Sequence, residues 1–94
     1  MKVAWSRRAL RHLVHLRQHI EKDSEQSATL VASRILKAVG LLESHPEIGR
    51  TGRVVGTREI VVPESPYVIP YRVRGQRLEL IAVFHGRQKW PHKL

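Results

Sequence analysis

The apolar residues of this chain change their period once, at Pro46, and that change constrains the fold more than any other feature. Before Pro46 they recur at helical spacing; after it they alternate, as on a pleated strand. A short alternating stretch, Lys2–Trp5, comes first. The expected order is β-α-α-β-β-β. That is an α+β domain in which a helical hairpin packs on a small, mostly antiparallel four-stranded sheet.

Ser6 suits the cap of the first helix, because its hydroxyl can accept a free N–H of the first turn. The helix should run to about Lys22. At about 100° per residue, Ala9, Leu10, Leu13, Val14, Leu16 and Ile20 gather in one arc, with Arg17 laying its stem at the edge. Arg8, Arg11, His12, His15 and His19 gather opposite, as a solvated face. Asp23 to Gln26 reads as a turn, and the second helix as about Ser27 to Ser44. Its inner face is Ala28, Val31, Ile35, Ala38, Val39 and Leu42. Leu30, Arg34, Lys37 and Leu41 form a separate stripe that the core does not need.

His45 to Gly56, with Pro46, Gly49, Gly52 and Gly56, reads as a loop. Strands follow at about Thr57–Val62, Tyr67–Val73 and Leu78–Phe84. Pro63-Glu64-Ser65-Pro66 and the hairpin turn Arg74-Gly75-Gln76-Arg77 connect them. Tyr67, Ile69, Tyr71 and Val73 should share one face of the middle strand, and Leu78, Leu80, Ala82 and Phe84 one face of the last. Pro70 cannot donate to a ladder and calls for a bulge or an unpaired position.

With 94 residues the chain has room for one domain, residues 1–94. It carries 17 Lys and Arg against 8 Asp and Glu, a net charge of +9, which draws polyanions without choosing among them. There is no cysteine, so disulfides, thiolate zinc sites and thiol catalysis are excluded. Met1 to Arg8 holds no continuous apolar run, so neither a signal peptide nor a membrane span is expected, and the lack of cysteine fits a reducing cytoplasm without demanding it. His15 and His19 have a metal-ligand spacing, but Arg8 and Arg11 share their face and no carboxylate completes a site; no metal is expected. The glycines of the 49–56 loop lack the lysine and hydroxyl of a phosphate-cradling motif.

Four stretches together resemble one family. Gly49-Arg50-Thr51-Gly52-Arg53-Val54-Val55-Gly56-Thr57-Arg58-Glu59 is similar to the glycine- and arginine-punctuated stretch of RelE/ParE toxins. Pro66-Tyr67-Val68-Ile69-Pro70-Tyr71-Arg72-Val73 resembles their Pro-Tyr…Tyr-Arg-Val strand. His85-Gly86-Arg87-Gln88-Lys89-Trp90-Pro91 resembles the His…Trp-Pro ending of the ParE branch, and Leu41-Leu42 followed by His45-Pro46 and Gly49 fits as well. The resemblance spans nearly the whole chain, in the family's element order. It implies the cytoplasmic toxin of a bacterial type II toxin–antitoxin pair, neutralised by an antitoxin encoded beside it, with growth arrest and plasmid stabilisation as consequences. ParE-like members poison DNA gyrase; the other branch cuts messenger RNA in the ribosome.

The resemblance favours action by binding, with no cofactor and no catalytic residue. Arg50, Arg58, His85, Arg87 and Lys89 are then candidates for gripping the target, since guanidinium forks suit carboxylate and phosphate. Arg53 reads as a solvated loop residue, and Arg58 with Glu59 as a possible local charge pair. Trp90 reads as a hydrophobic anchor for a tail that folds back, with His85 hydrogen-bonded at its edge. Leu30, Arg34, Lys37 and Leu41 are candidates for the antitoxin surface, where an amphipathic segment would bury both leucines. The alternative is a metal-independent endoribonuclease, which needs a base, an acid and cations for the phosphorane. Arg58, Arg72, His85 and Arg87, with Glu64 as a base, are its candidates. Val68 stands where ribonuclease members usually carry an arginine, which counts against it. A second alternative is a basic nucleic-acid-binding module, which the charge supports and the lack of a DNA-reading motif opposes.

Overall fold

A computed structural model describes residues 1–94. The elements are β1 (Lys2–Trp5), α1 (Arg7–Glu21), α2 (Glu25–Ser44), β2 (Arg50–Thr51), β3 (Arg58–Val61), β4 (Tyr67–Arg74), β5 (Arg77–Leu80) and β6 (Phe84–His85). The sheet order is β1-β5-β4-β3-β2, with β6 pairing β4 beyond the end of β5. β1 runs parallel to β5, and every other pair is antiparallel. The expected α+β class holds, with six strands in place of four, because the loop after Pro46 contributes β2 and the last strand is broken.

Both helices open on a serine. Ser6 accepts the Ala9 N–H at 3.0 Å and donates to the Ile81 carbonyl at 2.8 Å, so the cap also ties α1 to the sheet. Ser24 accepts the Ser27 N–H at 3.1 Å, and α2 therefore starts at Glu25, earlier than the apolar pattern indicated. α1 buries a narrower stripe than its arc: Ala9 and Leu16 are buried, with Leu13 and Ile20 packed against the core. Leu10 and Val14 stay about half exposed, since α1 meets the sheet and α2 along one seam only. Arg17 pairs with Glu21 at 3.2 Å on the outside.

The principal core lies between the helices and one sheet face. It joins Ile35, Ala38, Val39 and Leu42 of α2 to Ile60, Ile69, Tyr71, Leu78, Leu80 and Val83. Full burial of one such leucine or isoleucine contributes about 1.5–3 kcal/mol. Gly75, at φ 60°, occupies the left-handed region at the tip of the β4–β5 hairpin.

Pro70 explains the break in the last strand. Tyr71 stands opposite Leu80 and Val68 opposite Phe84, so two residues of β4 face three on the other side. That is a bulge, and the Ile81 N–H donates to the Pro70 carbonyl within it at 2.9 Å. The extra residue inverts the alternation beyond Leu80. Leu78, Leu80 and Val83 enter the principal core, whereas Ile81, Ala82 and Phe84 form a second cluster with Trp90 and Leu94. Ala82 and Phe84 therefore do not share the face of Leu78 and Leu80, contrary to the unbroken pattern. The C-terminal segment folds back over part of the second sheet face. Val73, near the end of β4, is a little under half exposed.

Candidate functional site

The segment from Gly49 to Arg58 is organised by one carboxylate. Glu59 is almost wholly buried, yet its strand position faces the second sheet face, beneath the loop. Its Oε1 accepts Arg50 Nη2 at 3.1 Å and lies 3.5 Å from Arg53 Nε, while Oε2 accepts the Arg53 backbone N–H at 2.8 Å. Arg53 in turn stacks its guanidinium 3.6 Å above the Trp90 ring, and Trp90 packs on Phe84 with centroids 4.7 Å apart. Arg53 is thus a joint between loop and tail, not a free solvated side chain. Trp90 is the anchor that its position promised; its indole nitrogen is buried without a partner.

Arg58 does not pair with Glu59. The two alternate across the strand, and Arg58 donates through Nη1 to the carbonyls of Glu47 at 3.1 Å and Gly49 at 2.9 Å. Gly52 lies against Thr57, donating to its carbonyl at 2.8 Å, and leaves no room there for a Cβ. Arg58 and Arg72 line a shallow cleft with Thr51, Gly56, Thr57 and Val73. Arg72 is tied to Glu79 across the β4–β5 pair at 3.1 Å.

His85 lies at the other end of β4, opposite Tyr67. Its Nδ1 accepts the Arg87 N–H at 3.1 Å, its own N–H donates to Gln88 Oε1 at 2.7 Å, and the Gly86 N–H reaches the Pro66 carbonyl at 2.7 Å. It is not at the edge of Trp90 but beside Tyr67, rings 5.8 Å apart. Arg87 and Lys89 are exposed. Tyr67 and Arg72 are five positions apart on one strand, about 17 Å at strand rise. Arg58 and Arg72 therefore do not converge with His85 and Arg87.

His85 instead lines a groove with His12, His15 and His19 of α1, together with Tyr67 and Gln88. Helical periodicity alone placed His12 on the solvated face. It is half-buried, 5.3 Å from the Phe84 ring, and its Nδ1 accepts the Val83 N–H at 3.1 Å. Burial, with Arg8 and Arg11 adding to it, holds its pKa below the ordinary histidine value. No signal in the sequence joined His12 to His85, because the bulge that turns Val83 inward is not visible in a residue pattern. No group of three or more His, Asp or Glu side chains is arranged to hold a metal ion.

On α2, Arg34, Lys37 and Leu41 line a groove of about 250 Å³ closed by Pro63 and Glu64. Arg34 donates to the Glu64 carbonyl at 2.9 Å and pairs with its carboxylate at 3.1 Å. Glu64, at φ 57°, is thus engaged by Arg34 of α2, and the turn that carries it adjoins the His85 end of β4, away from Arg58 and Arg72. Leu30 and Leu41 are each 49% exposed.

These features belong to a known group of proteins. Residues 3–90 match the family model described as the ParE toxin of the type II toxin–antitoxin system parDE. The protein Y4kP of Sinorhizobium fredii is 42% identical over 93 residues, covering 99% of this chain and 96% of that one. Toxin RelE2 of Caulobacter vibrioides is 33% identical over 85 residues, covering 90% and 94%. A solved structure described as the chromosomal ParDE toxin–antitoxin system from P. aeruginosa superposes with a TM-score of 0.82 at 23% identity, over 90% of this chain and 95% of that chain, and shares the fold. The chain belongs to the ParE toxin family, within the RelE/ParE superfamily. It is the toxin of a ParDE/RelE-type system, and membership implies an antitoxin partner. No helix is long and apolar enough to cross a membrane.

Proposed function

We propose that this toxin acts in the cytoplasm by binding DNA gyrase and blocking it, without a cofactor or a bond-breaking step of its own. One observation carries the reading: the cations a phosphodiester cleavage would need are dispersed. By strand register Arg72 stands about 17 Å along the sheet from His85 and Arg58 about 13 Å; Arg72 is paired with Glu79, and Arg58 is held by loop carbonyls. A binding surface tolerates that spacing; a single transition state does not. Val68 adds to it, being buried opposite Phe84 where an arginine would have no exposed path. Arg50, Arg58, His85, Arg87 and Lys89 are the residues assigned to the target. The antitoxin is assigned to Leu30, Arg34, Lys37 and Leu41, where an apolar side chain from an amphipathic segment would enter the groove beside Pro63.

A second reading, ribosome-dependent cleavage of messenger RNA, draws on the groove that joins His85 to His12 and Tyr67. Two imidazoles and a phenol there offer the acid and base that the arginines do not. Supercoiling by purified gyrase tests the first reading: inhibition that antitoxin relieves supports it. Transcript cleavage on ribosomes, lost in His12→Gln and His85→Gln, would move the assignment to the second.

A further inference from the structure

The second sheet face carries a row of cations that the site above does not use. Register places Lys2 of β1 beside Arg77 of β5, and Arg77 directly opposite Arg74 of β4. Register partners project to the same side of a sheet, so the three side chains stand abreast, about 4.8 Å apart from strand to strand. Their side is the one on which Arg72 meets Glu79, two positions further along the same strands. All three are exposed, and none forms an ion pair or a side-chain hydrogen bond. The strand positions of this face hold two carboxylates, Glu59 and Glu79, and arginines occupy both.

Like charges directly opposite on neighbouring strands oppose folding. No carboxylate of the molecule offsets this arrangement, and the exposed row is left free to take an anion from outside. We propose that the Lys2–Arg77–Arg74 row is a docking ridge for the phosphate backbone of nucleic acid, independent of sequence and of the target assigned above. The ridge spans about 10 Å, a length over which a duplex presents about six phosphate charges. An acidic protein partner fits it less well. Protein interfaces are anchored by apolar or aromatic side chains in desolvated pockets; on the strands of this face the exposed hydrophobic residue is Val61, at the far end opposite Val68, and Val55 stands almost wholly exposed on the loop before β3, in no pocket. Phosphate contacts need only cations, and Lys93, on the tail that folds over the same face, extends the supply.

The test is fluorescence anisotropy of a labelled 20-base-pair duplex titrated with the purified full chain across a salt series. The variant Lys2→Gln/Arg74→Gln/Arg77→Gln should lower the slope of log affinity against log salt by about 2.7, from about 0.9 per phosphate contact. Raising salt from 50 to 200 mM would then cost the variant about 40-fold less affinity than the parent. The single change Arg74→Gln should lower the slope by about 0.9. Thermal midpoints of both variants should equal or exceed that of the parent, since they remove a repulsion. The control Arg7→Gln/Arg11→Gln/Lys22→Gln, three exposed cations of the helical hairpin, should leave the slope unchanged. An unchanged slope in the ridge variant, an equal fall in the control, or binding of a polyglutamate peptide in place of the duplex overturns the proposal. None of these results depends on gyrase.

Discussion

The Tyr71 hydroxyl accepts the Gly49 N–H at 2.9 Å, joining the buried centre of β4 to the loop that leaves α2. The same hydroxyl donates to the Pro46 carbonyl at 2.7 Å, so one phenol satisfies both ends of the turn. A Cβ at Gly49 would stand 2.6 Å from the Tyr71 ring and 2.9 Å from the Glu59 carbonyl. Tyr71→Phe should cost about 1–3 kcal/mol in urea unfolding, by leaving a buried N–H unpaired. Gly49→Ala should cost at least as much, because backbone and a locked ring must both move.

Burial also raises the Tyr71 pKa above its ordinary value of 10.0. The folded state holds that proton more tightly than the unfolded chain, so this contribution is complete below about pH 10 and is lost as pH rises through the folded pKa. Tyr67 shifts the same way. Stability measured between pH 9 and 11 should fall more steeply in the parent than in Tyr71→Phe.

His12 acts at the opposite end of the scale. Its pKa is lowered from 6.5 by burial, then by Arg8, Arg11 and His15, and its Nδ1 must be free of a proton to accept the Val83 N–H. A depressed value means that the unfolded chain takes up the proton first. The stabilisation is present above about pH 6.5 and is lost as pH falls through the folded pKa. Unfolding midpoints between pH 7 and 5 should decline in the parent and decline less in His12→Gln. Parallel curves would contradict the role assigned to this imidazole.

Glu59 fastens the arginine loop. Its replacement by Gln keeps the shape and removes the charge that holds Arg50 and Arg53, both partly exposed. Global stability should fall by about 1–3 kcal/mol. Amide exchange over residues 50–57 should accelerate further than that fall accounts for. Trp90→Ala should act on the same loop from the other side, by removing the ring under Arg53.

The elements were legible where a local rule governed them. The caps at Ser6, the period of α2 and the hairpin at Gly75 follow from residue type and spacing. Pro70 announced an irregularity, but not that it would be a bulge on the facing strand that sends Phe84 away from Leu80 and toward Trp90. The candidate residues were harder to group. Arg58 and Glu59 are neighbours in sequence, yet alternation sends them to opposite faces, and Glu59 finds Arg50 and Arg53 instead. His12 and His85 lie 73 positions apart, and only the folded sheet brings them to one groove.

The antitoxin assignment predicts a local effect. Leu30→Glu/Leu41→Glu changes two half-exposed leucines, so the fold should persist. Affinity for the antitoxin in calorimetry should drop by at least about 100-fold, or about 2.8 kcal/mol. Undiminished affinity would remove this stripe from the interface.

The central claim is tested most directly by supercoiling of relaxed plasmid by purified gyrase, titrated with the folded toxin and then with antitoxin. Inhibition should appear at low toxin excess, vanish when antitoxin is added, and weaken when Arg50, Arg58 and Arg87 are replaced by Gln. Full supercoiling at high excess of a demonstrably folded toxin would contradict it.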